Sequence, residues 1–400
     1  MATRVRSYSK INLGLAIGPV RGDGFHGLTT LYQTLALHDL VTVSVRRLGA
    51  GAATKISLTT NHPFVPRDGR NTAWRMAEGC LARLGVAAEV VIHIEKRLPV
   101  QGGLGAGSAN AAAALLGLER ELEVALPGVE RLKLAAEIGS DVPLFLIGGA
   151  IIGTGRGEEV VAIRDLPKTW CVVAVPAVGV STPAAFRAWD ELAAAREPSR
   201  EQPTAEQATT NVRTNTRILS LQQAQGQDDN NLEDAALTSG SKLDRLKQLS
   251  LAYSSLSLKT GDGLPGTSGI VRDLNPEKKR GLPDEGQADA RNDLAENTLL
   301  ALVRTGIGSD GLSGLHNDFE DVVFPQYPPL RTTKRQLMGS DSDSPALYAA
   351  LSGSGSALFG LYRSEQDAKA AQQRVQSSGV EALLTETLPR AEYWERMFAE

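Results

Sequence analysis

The segment Leu98–Leu118 reads LPVQGGLGAGSANAAAALLGL. Gly103, Gly105 and Gly107 alternate along it and lead to Ser108, after which an alanine-rich run has strong helix propensity. Glycines let a backbone approach a ligand closely, and the free N–H groups and dipole at a helix start favour an anion. The run Pro99, Val100, Gln101, Gly102, Gly103, Leu104, Gly105, Ala106, Gly107, Ser108 and Ala109 is therefore a candidate phosphate-binding loop. It is not a P-loop, because GxxxxGK[ST] needs a lysine that is absent here. It is not a dinucleotide loop either, since Pro99, Val100 and Gln101 intervene after the apolar run and the spacing is not GxGxxG. No HRD or DFG occurs, so a protein-kinase site is excluded. Of the other glycine clusters, Gly153–Gly157 (GTGRG) has no helix after it and reads as a structural hairpin, while SGSGS surrounds Gly353–Gly355.

The flanking periodicities indicate what carries this loop. RVRSYSKINLGLAI, LVTVSVRRL and AEVVIHIEKRLP alternate or cluster apolar and β-branched residues as strands do. NTAWRMAEGCLARLGV and VERLKLAAEIG have helical spacing and end at glycine. DVPLFLIGGAIIGTG reads as a strand, KTWCVVAVPAVGVST as a buried strand, and ALYAALSGSGSALFGLY with SEQDAKAAQQRVQSSG as helix, turn, strand and helix. Strands and helices in this order predict an α+β protein.

Four hundred residues suit two domains, placed at 1–165 and 166–400. A polar, aromatic-poor stretch at about 192–290 has the composition of a disordered insertion, with KLDRLKQLSLAY as a short amphipathic helix within it and order resuming near LAENTLLALVRTG. A formal net charge of -4 argues against a nucleic-acid binder. Two cysteines make neither a zinc ribbon nor a disulfide framework, and the five histidines fall in no ligand spacing, so no protein-built transition-metal site is expected. MATRVRSYSK lacks a signal-peptide core and INLGLAIGPV is too short to span a bilayer; the expectation is a cytoplasmic protein with no membrane partner.

Three segments in order resemble the motifs of the GHMP kinases: SYSKINLGLAIGPVRGDGFHGLTTLYQTLALHDLVTV, the glycine loop, and LSGSGSALFGLY. The resemblance covers roughly residues 1–190 and 299–400. It implies a two-domain fold, an N-terminal domain like domain 2 of ribosomal protein S5 and a ferredoxin-like C-terminal domain. It also implies transfer of the ATP γ-phosphoryl group to a small-molecule alcohol, with Mg2+ arriving on the ATP phosphates and Ser108 as its nearest protein-side neighbour. By the same resemblance Asp141 is the base toward the acceptor hydroxyl, Lys10 is the cation beside it, and Lys96 and Asn71 lie along the nucleotide.

DGFH at Asp23–His26, IGSDVPLFLIGGAIIGTGRGE, STPAAF and HNDFE are most similar to the family branch whose acceptor is 4-diphosphocytidyl-2-C-methyl-D-erythritol, in the non-mevalonate route to isoprenoids. That likeness implies a cytosine slot formed by Phe25, His26 and Phe186, with Asn12, Asn110 and Thr182 as polar substrate contacts. A homoserine- or mevalonate-type acceptor is the alternative within the fold, and an inert kinase-like binding protein using the insertion is the alternative of another class. Phe25 stands where many members carry tyrosine, and Ala106 and Ala109 depart from the usual GGGSSNAA or GGGSSDAA, so altered phosphate contacts are expected. A monomer or homodimer is expected.

Overall fold

The computed structural model describes residues 2–49, 51–100, 102–196 and 315–400. Gln101, KLDRLKQLSLAY, LAENTLLALVRTG and nearly all of the expected insertion lie outside the described residues.

The spine is a long antiparallel hairpin of β1 (Thr3–Val20) and β2 (His26–Arg47). Its register shifts between Tyr8 and Lys10, between Asn12 and Gly14, and between Ile17 and Val20. Such irregularities re-aim side chains along a strand. Accordingly Val5 and Tyr8 enter one core, Ile11 and Leu13 a middle cluster, and Leu15 and Ile17 a third. Lys10 sits where the first shift ends.

Around this hairpin a seven-stranded sheet has the order β11-β1-β2-β4-β3, with β5 on β2 and β6 on β5. β3 (Lys55–Thr60) and β4 (Ala88–Glu95) run parallel, connected through α1 (Thr72–Leu84). Asn71 caps α1 and Gly85 closes it, as the helical spacing and terminal glycine predict. α2 (Ala106–Leu122) and α3 (Gly128–Ile138) complete the helical layer. The alanines of α2 let it lie close to the hairpin: a Cβ at Gly117 would come within 2.8 Å of Val43. β5 (Ala150–Thr154) and β6 (Glu159–Ala162) extend the sheet beside the first half of β2.

A second, antiparallel sheet has the order β10-β7-β9-β8, from β7 (Trp170–Val175), β8 (Tyr348–Leu351), β9 (Leu358–Tyr362) and β10 (Glu381–Glu386). It shares an apolar core with α4 (Thr182–Arg196), α5 (Glu320–Gln326), α6 (Pro328–Met338) and α7 (Glu365–Gln376). The middle cluster, where Ile11, Leu31 and Leu104 meet Val173, Ala350 and Phe359, joins the two layers.

Two expectations are corrected. Tyr348–Leu351 is strand rather than helix, because pairing with Leu358–Leu361 of β9 overrides the helix propensity of its alanines and leucine. Pro143–Leu146 is a 3₁₀ turn, and the strand begins only at Ala150; Pro143 has no N–H for a ladder. The chain also crosses back over the boundary at 165: α8 (Arg390–Glu395) delivers Tyr393 to the first core, and β11 (Phe398–Ala399) pairs with β1.

Candidate active site

The three motif segments meet at Lys10. Its backbone N–H donates to the Leu104 carbonyl at 3.0 Å, and its Nζ lies beside Gly353. Ala357 N–H donates to Gly102 O at 3.0 Å and Ser352 Oγ to Gly103 O at 2.9 Å, which ties the first glycine loop to the last. Gly103 has φ +84, and a Cβ there would collide with the Ser352 carbonyl, so this crossing requires glycine. α2 begins immediately beyond it, and Gly105 at its N-cap has no side chain to occupy the first N–H groups. These face a cavity of about 400 Å³ lined by Gly103, Leu104, Gly105, Ala106, Gly107 and Ser108, with Val65, Pro66, Asn71 and Lys96 along its far side. An uncapped N-terminus of a 17-residue helix on an open cavity suits a phosphate chain.

Lys10 on β1 and Asp141 in the turn after α3 are brought together. Lys10 Nζ lies 3.4 Å from Asp141 Oδ2 and donates to Asn12 Oδ1 at 2.6 Å. The lysine side chain is 3% exposed and the aspartate 31%, so the carboxylate is the more open member of the pair. Asn12 is itself held, donating through Nδ2 to Thr30 Oγ1 at 2.7 Å. A desolvated ammonium against a half-open carboxylate can orient a hydroxyl, take its proton and stabilise charge developing on its oxygen.

Several residues expected as ligand contacts have structural partners. Asp39, 0% exposed, accepts from the Arg97 and Leu98 N–H groups, both at 2.8 Å, from Asn110 Nδ2 at 3.0 Å and from the Lys96 ammonium. Lys96 and Asn110 both border the cavity, but these bonds anchor them to the approach of the loop. Asn110 also donates to Ser7 Oγ at 2.8 Å, and it lines the glycine-loop cavity. Asn71 accepts from Ala73 N–H as cap and donates to Pro66 O. Ala109 is turned away: its side chain is in the first core and its N–H is taken by Gly105 O, so the methyl group fits where a hydroxyl would be buried. Ala106 begins α2 in an ordinary helical position, so its Cβ causes no strain. Pro99 and Val100 lead into the loop, and Val100 lines the cavity.

The expected substrate residues gather at the turn end of the hairpin. His26 Nδ1 is 2.9 Å from Gly18 O, its Nε2 3.0 Å from Asp190 Oδ1, and its ring stacks on Phe186 at 5.1 Å with planes 5° apart. The Phe186 face expected for a pyrimidine is thus covered by His26 itself. Phe25 is 54% exposed, with the Arg156 guanidinium 5.1 Å from its ring centre. Thr182 starts α4 with its hydroxyl 2.7 Å from Ser354 Oγ, which places it on the third glycine segment.

Residue-by-residue reading missed Asp39, Tyr32 and Asn317. Asp39 had one signal, an acid inside an apolar strand, a position that demands partners. Asn317 lies in HNDFE, and its Nδ2 donates to Leu351 O and Gly353 O, both at 2.8 Å, while Glu320 Oε1 accepts from Leu351 N–H. HNDFE is therefore a clamp on the last glycine loop. Both cysteines are buried, and burial pushes the Cys80 thiol up to about 12, so neither is a nucleophile.

Among the described residues no group of three His, Cys, Asp or Glu is placed to hold a metal, and no helix is long and apolar enough to cross a membrane.

The GHMP kinase N-terminal domain model matches residues 71–149, and the GHMP kinase C-terminal model residues 296–381. A 4-diphosphocytidyl-2-C-methyl-D-erythritol kinase of Rhodococcus jostii is 41% identical over 199 residues, 49% of this chain and 62% of that relative. The kinase of the same name from Moorella thermoacetica is 39% identical over 207 residues, 52% of this chain and 70% of that relative. The matched region thus spans less than two thirds of the Rhodococcus protein. A crystal structure of 4-(cytidine 5'-diphospho)-2C-methyl-D-erythritol kinase superposes with a TM-score of 0.55 at 22% identity, covering 96% of this chain and 98% of that one. Homoserine kinase from Cytophaga hutchinsonii superposes at 0.56 and 15% identity, covering 97% and 95%, so the fold is common to kinases with different acceptors. With its glycine loops crossed at Lys10 and a 39%-identical relative matched over 70% of its length, the chain belongs to the GHMP kinases.

Proposed function

We propose that this protein transfers the γ-phosphoryl group of ATP to the 2-hydroxyl of 4-diphosphocytidyl-2-C-methyl-D-erythritol. The observation that carries the chemistry is the Lys10–Asp141 pair, with Lys10 bonded to the glycine loop that lines the cavity. The nucleotide phosphates lie along Gly103–Ser108, with α2 directing its first N–H groups at them. Mg2+ is held through those phosphates, near Ser108, and supplies charge neutralisation during transfer. Asp141 accepts the hydroxyl proton, and Lys10 stabilises the oxygen that loses it.

The acceptor is selected at His26 and Phe186. His26 Nδ1 donates to Gly18 O, and the Nε2 edge, now 3.0 Å from Asp190 Oδ1, is the one left to meet the polar edge of the pyrimidine. Binding then requires the pyrimidine to take the places now held by Asp190 and by the His26–Phe186 stack. The curated relatives from Rhodococcus and Moorella bear the name of this activity. The enzyme works in the cytosol as a monomer or homodimer, on a small-molecule acceptor and ATP.

The test is ATP consumption by the purified chain against a panel of the cytidyl acceptor, homoserine and mevalonate. Turnover is expected with the cytidyl compound, and Asp141→Asn is expected to lower kcat by about 10²–10⁴-fold, the usual contribution of a general base. Equal turnover on all three acceptors would overturn the substrate, and near-normal turnover by Asp141→Asn would overturn the base.

A further inference from the structure

The Gly153–Gly157 turn, which reads from the sequence as a plain hairpin, encloses one side chain. β5 pairs with Thr30–Gln33 of β2, so the turn after β5 lies alongside Tyr32. A Cβ at Gly153 would come within 2.6 Å of the Tyr32 ring edge, and one at Gly157 within 2.5 Å of its hydroxyl. Gly157 also has φ +105, where a side chain is strained whatever the space. Both glycines therefore vacate volume that this tyrosine fills.

Tyr32 is buried, and its hydroxyl donates to Asp141 Oδ1 at 3.0 Å. Lys10 approaches the other oxygen, Oδ2, at 3.4 Å, and its ammonium lies 5.5 Å from the centre of the Tyr32 ring. The carboxylate is held from two sides by groups of different kinds: a neutral donor on Oδ1 and a cation at Oδ2. Burial, and then the charge of Asp141, hold the tyrosine pKa well above its ordinary value, so the phenol stays a donor at working pH. Asp141 otherwise stands in a turn after α3, where a short side chain is free to rotate.

We infer that Tyr32 is a positioning residue for the phosphoryl transfer: it fixes the carboxylate plane of Asp141 with Oδ2 toward Lys10 and the acceptor hydroxyl, and the GTGRG turn exists to seat it. This rests on the proposed role of Asp141 as base. Reacting groups must be held within a fraction of an ångström for such a transfer, and a support that slackens them slows the chemical step.

Tyr32→Phe in the full chain removes the hydroxyl and keeps the ring. The expected result is a kcat lower by about 10–100-fold, the fold-change equivalent to one hydrogen bond to a charged group. KM for ATP and for the acceptor should stay within about twofold, and the melting temperature should fall by no more than the few degrees that one lost hydrogen bond gives, which separates positioning from unfolding or binding. Gly157→Ala, which pushes on the hydroxyl, should lower kcat in the same way. In the Asp141→Asn background Tyr32→Phe should cost nothing further, because its effect runs through that carboxylate.

An unchanged kcat, a rise in acceptor KM at constant kcat, or losses that add in the double variant would each overturn the inference. The outcomes also separate the two readings. An active Asp141→Asn sinks the base assignment, whereas an inactive Asp141→Asn beside a fully active Tyr32→Phe sinks only the positioning role.

Discussion

At the scale of single residues, the buried carboxylate of Asp39 decides what two expected ligand contacts do. Lys96 is 4% exposed in its side chain and faces a carboxylate that is fully enclosed. Removing the acid strands a buried ammonium, which costs about 3–5 kcal/mol, whereas removing the lysine leaves Asp39 three other donors. Asp39→Asn should therefore destabilise the protein by about that amount in urea unfolding, and Lys96→Met distinctly less. Lys96→Met should leave KM for ATP nearly unchanged if the lysine is an anchor; a tenfold rise would restore it as a nucleotide contact. Neither behaviour follows from the LysArgLeuPro spacing alone, because the partner lies on another strand. Asp141 shows the same limit. Its residue type and the IGSD context are equally those of a turn former, and only Lys10 and Tyr32 make its position chemically meaningful.

At the scale of elements, the glycine loop works because three chain segments cross at van der Waals distance. Alternating glycines and the helix after them were legible in the sequence, as was the glycine C-cap of α1, since these are local effects of propensity and hydrogen bonding. That Gly103 packs on the Ser352 carbonyl was not, because 249 positions separate the loops. Gly103→Ala should displace the Ser352 loop. It should also abolish the stabilisation that ATP confers on the parent, about 2.7 kcal/mol at a hundredfold excess over Kd. A thermal-shift titration checks this; an undiminished shift would mean the loop tolerates a Cβ and lies off the phosphates. β8 is the converse case. Its alanines argue for helix, and only the neighbouring β9 makes it a strand.

At the scale of the whole molecule, the last residues complete the first domain. Tyr393 is buried in the first core, and its hydroxyl donates to Phe145 O at 2.6 Å; the Phe145 ring lies under Gly105. The C-terminus thus supports the floor of the glycine loop from the opposite end of the chain. Tyr393→Ala should cost about 3–5 kcal/mol, as large-to-small changes at buried aromatics do. It should also weaken ATP binding, whereas Tyr393→Phe should lose only the hydrogen bond, about 1 kcal/mol. Equal effects of the two variants in urea unfolding would refute a packing role. By itself the sequence determined the α+β class, the glycine loop ahead of a helix, the glycine end of α1 and the residue types from which a phosphoryl-transfer site can be made, because period, propensity and glycine content act over a few residues. Only the tertiary structure decided that Lys10, Asp141 and Tyr32 form one unit, that Asp39 claims Lys96 and Asn110, and that GTGRG seats a tyrosine. Each of these depends on a contact between distant segments, and such contacts are set by how the hairpin, the helices and the returning C-terminus pack, not by any local preference.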